Sequence, residues 1–304
     1  MPEKKVPIEV DGITMTLSNL DKVLYPEVGF TKGEVIDYYT RIAPVLLPHI
    51  SNRPVTFKRY PEGVDRAFFF AKNAPSHTPE WVQTVTLPSP GSTKNRETIN
   101  YPLVGELPAL VWAANLAALE LHVPMWRVTS KGKPENPDLM VFDLDPGPPA
   151  TIVECCQVAQ HVRDVLDEDG LSSYPKTSGS KGMQLYVPLD AKSPWEDVHS
   201  YARALAQRLE QEHPELVVWN MKKELRNGKV LVDWSQNNPA KTTIAVYSLR
   251  ARPHPTASTP LTWDEVEACT KPEDLVFTSA DVLARVDKVG DLFASAVESA
   301  QPLP

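Results

Sequence analysis

The most informative segment of the sequence is Leu139-Met140-Val141-Phe142-Asp143-Leu144-Asp145-Pro146-Gly147. Its apolar start predicts a central β-strand. Successive side chains of a strand point to opposite faces, so Asp143 and Asp145 would share one face, with their Cα atoms about 6–7 Å apart. Pro146 and Gly147 end the strand and place both acids at its C-terminal edge, where the active sites of α/β sheets collect. Two carboxylates this close repel each other unless cations lie between them, so the pair predicts a metal site.

A third acid strengthens this prediction. Residues 229–234 form a second apolar segment, predicted as a strand, which carries Asp233. Three carboxylates from two neighbouring strands suit a two-metal site, in which one metal activates a hydroxyl nucleophile and the other holds a triphosphate and its leaving pyrophosphate. Each acid considered alone could instead be a polar strand end that makes turn hydrogen bonds.

A glycine-framed loop precedes a strand predicted at residues 183–187, and its sequence is Pro175-Lys176-Thr177-Ser178-Gly179-Ser180-Lys181-Gly182. The two glycines would let backbone N–H groups approach an anion closely, while the hydroxyl groups and lysine would add donors and charge. The loop lacks the spacing of a Walker A motif. The alternative interpretation is an ordinary hairpin turn.

Other candidate residues carry weaker signals. Residues 54–60 predict a strand with a basic pair at Lys58. Residues 68–70 are three phenylalanines flanked by basic residues, and they could either stack on bases or fill the core. His122 follows an apolar segment, where a structural histidine is the ordinary interpretation.

Helical signals alternate with these strands. Thr31 and Glu34 form a capping box, and a long apolar segment that is too short to cross a membrane predicts a buried helix. The predicted helices cover about residues 31–47, 106–121, 151–169 and 193–212, the last opening with a capping box at residue 193. This alternation predicts an α/β or α+β fold.

The composition is that of a soluble globular protein. Of the 304 residues, 42% are hydrophobic and 23% are charged, which argues against disorder, coiled coil and collagen. The N-terminus, Met1-Pro2-Glu3-Lys4-Lys5, does not resemble a signal peptide, and the three cysteines form no Cys-x-x-Cys pair. We therefore expect a cytoplasmic protein without structural zinc or disulfides.

The charge is unevenly distributed along the chain. The net charge of −8 argues against nucleic-acid binding when it is taken globally. Residues 220–252, however, contain seven Lys or Arg against two acids, and Arg226 and Arg250 flank Asp233 there. Residues 264–298 contain nine acids against three Lys or Arg. A basic surface on an acidic protein is therefore possible, and a solvated basic loop is the alternative.

Five motifs occur in a fixed order along the chain. They are Leu20-Asp21-Lys22-Val23-Leu24-Tyr25-Pro26, Leu119-Glu120-Leu121-His122-Val123-Pro124, Phe142-Asp143-Leu144-Asp145-Pro146, Ser178-Gly179-Ser180-Lys181-Gly182 and Val232-Asp233-Trp234-Ser235-Gln236-Asn237. Together they closely resemble the polymerase domain of bacterial ligase D, and the similarity extends from about residue 10 to residue 293. That domain belongs to the archaeo-eukaryotic primase superfamily and serves non-homologous end joining.

The resemblance implies a fold and a domain organisation. The fold is that of the archaeo-eukaryotic primase-polymerases, in which an α/β module packs on a module resembling an RNA-recognition sheet, with the active site between them. Residues 1–293 would form a single domain of two packed sub-modules. Residues 294–304 would form a C-terminal tail.

The resemblance also implies roles for particular residues. The metal-binding catalytic carboxylates are matched by Asp143, Asp145 and Asp233. The positions that hold the incoming nucleotide are matched by Lys58, His122, Ser178, Lys181 and Arg226, with Gln236 beside them. The DNA-binding positions are matched by Asn19, Lys22 and Lys32 at the downstream 5′-phosphate, by Phe69 and Phe70 near the template, and by Arg250.

Cofactors and partners follow from the same resemblance. It implies two divalent metal ions, Mn²⁺ or Mg²⁺, and often a preference for ribonucleotides. The implied partners are gapped or broken DNA with a 5′-phosphate end, NTP or dNTP, Ku and a DNA ligase, at the nucleoid and away from any membrane. Lys22 and Lys32 flank the start of the Thr31-capped helix, so a terminal phosphate there would also meet a helix N-terminus.

Two features depart from the family pattern or stay open. Gln184 stands where relatives usually carry histidine, and glutamine keeps hydrogen bonding but cannot carry a charge. The adenylation motif of ligases, Lys-x-Asp-Gly, is absent from the sequence.

Two alternatives to a polymerase stay open. The first alternative is a haloacid dehalogenase-type phosphatase, although Gly147 stands where that class usually has threonine. The second is a DNA-end-binding module whose catalytic site has decayed.

Overall fold

Two mixed layers of sheet and helix build the chain, in a computed structural model that describes residues 5–89 and 97–304. The first four residues of the N-terminal segment discussed above lie outside the described part. The strands are β1 (Lys5–Val10), β2 (Ile13–Ser18), β3 (Val23–Tyr25), β4 (Phe30–Thr31), β5 (Thr56–Arg59), β6 (Phe69–Ala71), β7 (Thr84–Pro88), β8 (Thr98–Pro102), β9 (Ala118–Val123), β10 (Trp126–Val128), β11 (Pro134–Pro137), β12 (Leu139–Pro146), β13 (Tyr174–Thr177), β14 (Met183–Pro188), β15 (Val217–Val218), β16 (Val230–Asp233) and β17 (Thr243–Ile244). The helices are α1 (Lys32–Ile50), α2 (Leu107–Asn115), α3 (Ile152–Glu168), α4 (Trp195–Glu212), α5 (Trp263–Ala268), α6 (Ser279–Val289) and α7 (Ser295–Glu298), with short 3₁₀ turns at Lys223–Leu225, Trp234–Gln236 and Pro272–Leu275.

The larger sheet has five strands in the order β13-β14-β12-β16-β15. Strand β12 lies at its centre, as predicted, and runs antiparallel to both of its neighbours. The chain order β12-α3-β13-β14-α4-β15 is the βαββαβ order of ferredoxin-like sheets, the same class of module as an RNA-recognition domain. The predicted mixed α/β class is therefore confirmed.

The alternation of side chains along β12 separates two cores. Met140, Phe142 and Leu144 point into one apolar core, which they share with α3 and α4. Leu139 and Val141 point the other way, into a core shared with α1 and α2. The two acids that follow continue this second face, as the period of two requires. The acids of β12 therefore face the other module rather than the helices α3 and α4.

The smaller sheet has four antiparallel strands in the order β17-β9-β5-β6. Its apolar residues share a core with α1 and α2, and Tyr186 of the larger sheet lies in that same core. The hydroxyl of Tyr186 lies 2.6 Å from the hydroxyl of Thr243 on β17. The two sheets are thus packed into one structure. The assignment of residues 1–293 to a single domain stays a prediction.

The predicted helix over residues 106–121 is wrong in its second half. Helix α2 ends at Asn115, Ala117 has a positive φ of 56°, and β9 begins at Ala118. A continuous apolar run does not distinguish a buried helix from a buried strand, and here pairing with β5 and β17 decides. The correction places Glu120 and His122 on one face of a strand.

Two smaller expectations also differ from the structure. Helix α4 begins after Pro194 without a side-chain cap, so the predicted capping box at residue 193 is not formed. The C-terminal tail is packed against the molecule: Ala296 is buried, and the side chain of Gln301 donates to the Pro188 carbonyl and accepts from the Ser172 N–H. Over residues 5–89 and 97–304, the helices include none that is both long and apolar enough to span a bilayer.

Candidate active site

A row of polar side chains crosses the centre of the larger sheet. Asp143 on β12 lies directly opposite Asp233 on β16 and Gln184 on β14, and Gln184 lies opposite Lys176 on β13. Asp145 lies two residues further along the same face of β12. The three acids predicted from the sequence are therefore brought to one face of the sheet.

The electrostatics of this row favour a bound cation. Burial raises the pKa of Asp143 to about 7, repulsion from Asp145 and Asp233 adds to the rise, and the Gln184 hydrogen bond opposes it. Burial and the charge of Asp233 also raise the pKa of Asp145, while Arg226 and Arg250 act in the opposite direction. A cation among these groups would stabilise their ionised forms.

The donor set fits a hard divalent metal in chemistry. Carboxylate oxygens are the ligands that Mg²⁺ and Mn²⁺ prefer. Within residues 5–89 and 97–304, however, no three His, Cys, Asp or Glu side chains are gathered as a ready-made metal site. Oxygens of two of the acids are held by neighbouring donors: Gln184 donates to Asp143, and Ser235 and Gln236 donate to Asp233. Metal binding would therefore require these carboxylates to move and to rearrange their present hydrogen bonds.

Asp233 is held by the turn that follows its strand. One of its oxygens accepts from the backbone N–H of Ser235 at 2.9 Å and from the Ser235 hydroxyl at 2.6 Å. The other oxygen accepts from Nε2 of Gln236 at 3.0 Å. Gln236, predicted to lie beside the nucleotide, therefore contacts one of the three predicted catalytic acids directly.

A second cluster lies on the smaller sheet. Lys58 on β5 lies opposite Glu120 on β9, and Glu120 shares its face with His122. The Glu120 carboxylate is 2% exposed and lies 3.0 Å from the His122 ring, 3.6 Å from Lys58 Nζ and 3.5 Å from Arg250 Nε. It also accepts from the backbone N–H of Ala251. One buried acid thus holds three predicted binding residues together.

Charge compensation sets the protonation of this cluster. Burial alone would raise the pKa of Glu120, but the hydrogen bond from His122 and the charges of Arg250 and Lys58 outweigh it and bring the pKa to about 2. Burial lowers the pKa of His122 more than Glu120 raises it. Because the shifted pKa lies below that of an ordinary histidine, the His122 ring is neutral at neutral pH. Lys58 and Arg250 therefore supply the positive charge of the cluster.

The loop between β13 and β14 is both a hairpin turn and part of this site. The Ser178 hydroxyl accepts from the backbone N–H groups of Ser180 and Gly182, at 3.3 Å each. Arg250 donates to the Ser178 carbonyl at 3.1 Å, and its charge also reaches Glu120 and Asp145. The two interpretations of the loop are therefore compatible. Arg250, predicted to contact DNA, lies instead among the residues predicted to bind the nucleotide.

The two other predicted phosphate-binding cations lie at the rim. Lys181 is exposed in the hairpin turn. Arg226 donates to the Met221 carbonyl at 2.6 Å, and its buried Nε has no hydrogen-bond partner among the residues that the structure describes. A Cβ on Gly147 would lie 1.8 Å from the Arg226 carbonyl oxygen, so only glycine lets the end of β12 approach Arg226 this closely.

The aromatic residues at 68–70 belong to the surface rather than the core. Phe68, Phe69 and Phe70 are between 46% and 54% exposed, which removes the core interpretation. Lys58 Nζ lies 4.3 Å from the ring centre of Phe68, and the Phe70 ring lies 6.0 Å from His122. These rings therefore border the Lys58 and His122 cluster, where exposed faces could stack on bases.

The predicted 5′-phosphate residues are close together but differ from the expected arrangement. The N–H of Lys32 donates to the Lys22 carbonyl, and Lys22 itself follows a turn closed on Asn19. Lys22 Nζ lies 2.8 Å from Glu62, and Lys32 Nζ donates to the Ser18 carbonyl at 2.6 Å. The first amides of α1, at residues 31–34, all donate to protein oxygens. A phosphate there would therefore be held by side chains and not by helix N–H groups.

Sequence reasoning missed residues that connect these predicted sites. Glu120 occurs in a quoted motif without an assigned role, because the helix predicted at 106–121 hid its common face with His122. Lys176 is fully buried and donates to Gln184, Ile244 and Ser258. Only the register of β13 on β14 shows that Lys176 belongs to the acid row.

Comparisons with known proteins agree with this geometry. Residues 31–293 match the family model described as LigD, primase-polymerase domain. The chain is 47% identical over 278 residues to the multifunctional non-homologous end joining protein LigD of Mycolicibacterium smegmatis, which covers 91% of this chain and 35% of that protein. It is 32% identical over 291 residues to the bifunctional LigD of Bacillus subtilis, covering 95% of this chain and 45% of that protein.

A solved structure has the same fold. The polymerase domain of Mycobacterium tuberculosis ligase D in complex with DNA superposes with a TM-score of 0.87 and 43% identity, covering 94% of this chain and 99% of that one. The chain thus spans about a third of the length of the mycobacterial relative and nearly all of an isolated polymerase domain. The phosphatase alternative has no support in these matches. The sequence motifs, the sheet carrying three acids and the family match agree, and the chain belongs to the LigD primase-polymerase domain family, a family of nucleotidyltransferases.

Proposed function

We propose that this chain is a template-dependent polymerase that fills gaps and extends ends at DNA breaks in non-homologous end joining. The observation that carries the proposal is the common face of Asp143, Asp145 and Asp233, next to a cluster of cationic side chains. The acids would hold metal, and the cations would hold the triphosphate of an incoming nucleotide. Family membership implies a general dependence on divalent metal ions.

We propose two ions, Mn²⁺ or Mg²⁺, at the three acids. Bound there, they would lower the pKa of the attacking hydroxyl group and stabilise the leaving pyrophosphate. Gln184, Ser235 and Gln236 orient the carboxylates by hydrogen bonds. Asp143 and Asp145 have raised pKa values because they are buried close to other acids, so a bound cation would stabilise their ionised forms.

The cationic cluster would position the nucleotide. Lys58, Arg250 and the hairpin at Ser178 lie around Glu120, and Lys181 and Arg226 would close on the phosphates from the rim. The neutral His122 ring, whose Nε2 donates to Glu120, would accept a hydrogen bond from the nucleotide at Nδ1 without adding charge. We propose that ribonucleotides are preferred, that Phe69 and Phe70 stack near the template, and that Ku and a DNA ligase act with this polymerase at the nucleoid.

The test is nucleotide incorporation on a gapped duplex that carries a 5′-phosphate. Asp143→Ala should lower incorporation at least roughly 100-fold, because the charge that develops on transfer loses its stabilisation. DNA binding should change little, and the exposed Asp264→Ala on α5 is the matched control. Incorporation by wild type with both NTP and dNTP tests the ribonucleotide preference.

Three results would contradict the proposal in whole or in part. Binding of the gapped duplex without any incorporation by wild type would support the decayed module. Incorporation by Asp143→Ala at the wild-type rate would remove this acid from the catalytic site. Release of inorganic phosphate from a phosphomonoester without incorporation would instead revive the phosphatase alternative.

A further inference from the structure

A lysine lies behind each of the two opposed acids. Gln184 Nε2 donates to Oδ1 of Asp143 at 3.0 Å, and Lys176 Nζ donates to the Gln184 amide oxygen at 2.6 Å. On the neighbouring strand the Ser235 hydroxyl donates to Oδ1 of Asp233, and Lys241 Nζ donates to that hydroxyl oxygen. The same arrangement of lysine, neutral donor and carboxylate therefore occurs twice, on strands that pair with each other.

The lysine decides the direction of each neutral group. An ammonium group has only donors. Burial lowers the pKa of Lys176 to about 7, but its Nζ faces three acceptor oxygens, and only the ammonium form has a donor for each of them. The amide oxygen of Gln184 must therefore face Lys176, and its NH₂ must face Asp143. For the same reason the single proton of the Ser235 hydroxyl must point at Asp233. A bound metal would neutralise the charge of an acid, so the acid alone would no longer orient the Gln184 amide or the Ser235 hydroxyl. The lysine would still orient it.

The position of the Lys176 ammonium group is fixed by its surroundings. It is fully buried, and its three donors are directed at Gln184, at the Ile244 carbonyl at 3.1 Å and at the Ser258 hydroxyl at 2.7 Å. The Ser258 hydroxyl donates onward to the Thr177 carbonyl, so its oxygen is left to accept. Burying a lysine costs several kcal/mol unless it is well paired, and an apolar side chain would pack in this core at lower cost. Ile244 lies on β17, so this lysine also ties the acid row to the smaller sheet.

We propose that Lys176 and Lys241 are positioning residues, each fixing the donor that holds one of the two opposed catalytic carboxylates. Within residues 5–89 and 97–304, neither lysine forms an ion pair with an acid, and each acts through the neutral group in front of it. The inference rests on the proposed metal-dependent polymerase, because its effect is on carboxylates that receive metal. The inference also explains how glutamine can replace the usual histidine at position 184. Its amide group connects Lys176 to Asp143 by hydrogen bonds, and this role requires no charge on the side chain.

The test is a double-mutant cycle on Lys176→Met and Gln184→Leu, with two measurements. The first is binding of Mn²⁺ alone, measured from the electron paramagnetic resonance signal of the free ion. The second is steady-state incorporation, separated into kcat and KM. Groups that orient metal ligands typically contribute about 10–100-fold in metal affinity or activity, so each single variant should lose at least about tenfold in Mn²⁺ affinity and in kcat, with little change in KM.

The double variant should be no worse than Gln184→Leu alone, because the lysine acts through the glutamine. Fully additive losses would overturn the proposal, and so would Mn²⁺ affinity and kcat that are unchanged in Lys176→Met. If wild type binds Mn²⁺ but incorporates no nucleotide, the proposed function fails while the positioning role remains measurable through Mn²⁺ binding. Lys288→Met, on the exposed face of α6, is the control for loss of a lysine.

A conservative variant separates positioning from simple support of the core. A neutral imidazole has one donor and one acceptor nitrogen, so Gln184→His should bridge Lys176 and Asp143 and stay within about threefold of wild type. In the Lys176→Met background that rescue should disappear. If Lys176→Met fails to fold, the half-buried Lys241→Met, paired in a cycle with Ser235→Ala, tests the same proposal at the second acid. Equal Mn²⁺ affinity and kcat in wild type and Lys241→Met would then overturn it.

Discussion

Glu120 shows how a single buried carboxylate can set the charge of a binding pocket. Its environment contains His122, Lys58 and Arg250, all within 3.6 Å of its oxygens. Left unpaired, a charge in this position would be costly to bury. With its partners in place, Glu120 stays ionised and fixes the two cations next to the predicted triphosphate position. The pocket therefore keeps cationic groups in order before any nucleotide arrives.

This ionisation predicts a specific pH dependence of stability. The pKa of Glu120 is about 2 in the folded protein, below its ordinary value of 4.5, so its contribution is complete above about pH 4.5 and disappears as the pH falls through about 2. A pKa difference of this size corresponds to about 3 kcal/mol. The free energy of unfolding of Glu120→Gln, measured by chemical denaturation, should be lower at pH 7 and should change less between pH 4.5 and 2.

The exposed Glu80→Gln is the control, since that side chain lies on the surface. It should follow the wild-type pH dependence throughout. A Glu120→Gln profile parallel to wild type over this interval would show that other carboxylates carry the acid sensitivity.

At the scale of single residues, the features that follow from the alternation of side chains along one strand could be predicted from the sequence. The features that depend on which strands pair could not. The common face of Asp143 and Asp145 follows from the strand period of two, and the structure has it. Glu120 was hidden because an apolar run has no period that separates helix from strand. Lys176 could not have been found without the register of β13 on β14, since that register alone sets Gln184 between it and Asp143.

At the scale of elements, the end of β12 shows how the active site is joined to its rim. Gly147 donates to the Lys229 carbonyl at 2.8 Å, and Gly228 donates back to the Gly147 carbonyl. This exchange extends the pairing of β12 with β16 into the loop. It brings the backbone of Arg226 against Gly147, where the charge of Arg226 opposes the rise in the pKa of Asp145. The position of a predicted phosphate-binding arginine therefore depends on the glycine that follows β12.

Gly147→Ala should displace this arginine. The new Cβ would lie 1.8 Å from the Arg226 carbonyl oxygen, far inside van der Waals contact with backbone, so the loop must move. We expect a loss of about 1–3 kcal/mol in stability and a rise in KM for the nucleotide. Thermal unfolding and steady-state incorporation measure the two effects.

Gly105→Ala is the matched control, because its nearest contact would be the Ser51 hydroxyl at an ordinary 3.7 Å. That variant should match wild type in KM. A Gly147→Ala protein with normal stability and normal KM would show that the contact with Arg226 is unimportant for the site.

At the scale of the whole molecule, separation of charge would allow this acidic chain to bind the proposed DNA substrate. The net charge is −8, yet Lys58, Arg226 and Arg250 lie around the predicted nucleotide position, and Lys22 lies near the start of α1. The acid-rich residues 264–298 include α6, which packs on α1, where Asp291 just beyond α6 contacts His49 in the last turn. Lys22 and Asp291 therefore lie toward opposite ends of α1. Repulsion by the acidic end would help orient an approaching duplex.

The 5′-phosphate end of a gap is the part of DNA that should gain most from this arrangement. A terminal monophosphate carries nearly two negative charges, compared with one for an internal phosphodiester. Since the amides of α1 are occupied, the gain must come from side chains such as Lys22, which would leave Glu62 to bind the phosphate. Wild type should therefore bind a 5′-phosphorylated gap about tenfold more tightly than its 5′-hydroxyl counterpart, and Lys22→Ala should lose most of that preference.

The salt dependence of binding provides an independent measure of the same contact. Each phosphate neutralised on duplex DNA contributes a slope of about −0.9 in log affinity against log salt. Lys22→Ala should therefore reduce the slope by about one on the phosphorylated gap, while Lys288→Ala, at the acidic end, should leave both slope and preference unchanged. Both duplexes must be compared at one fixed salt concentration, because a change in salt alters the two affinities unequally. A preference that survives in Lys22→Ala would place the terminal phosphate elsewhere, and its absence in wild type would mean that this chain does not discriminate the end of the downstream strand.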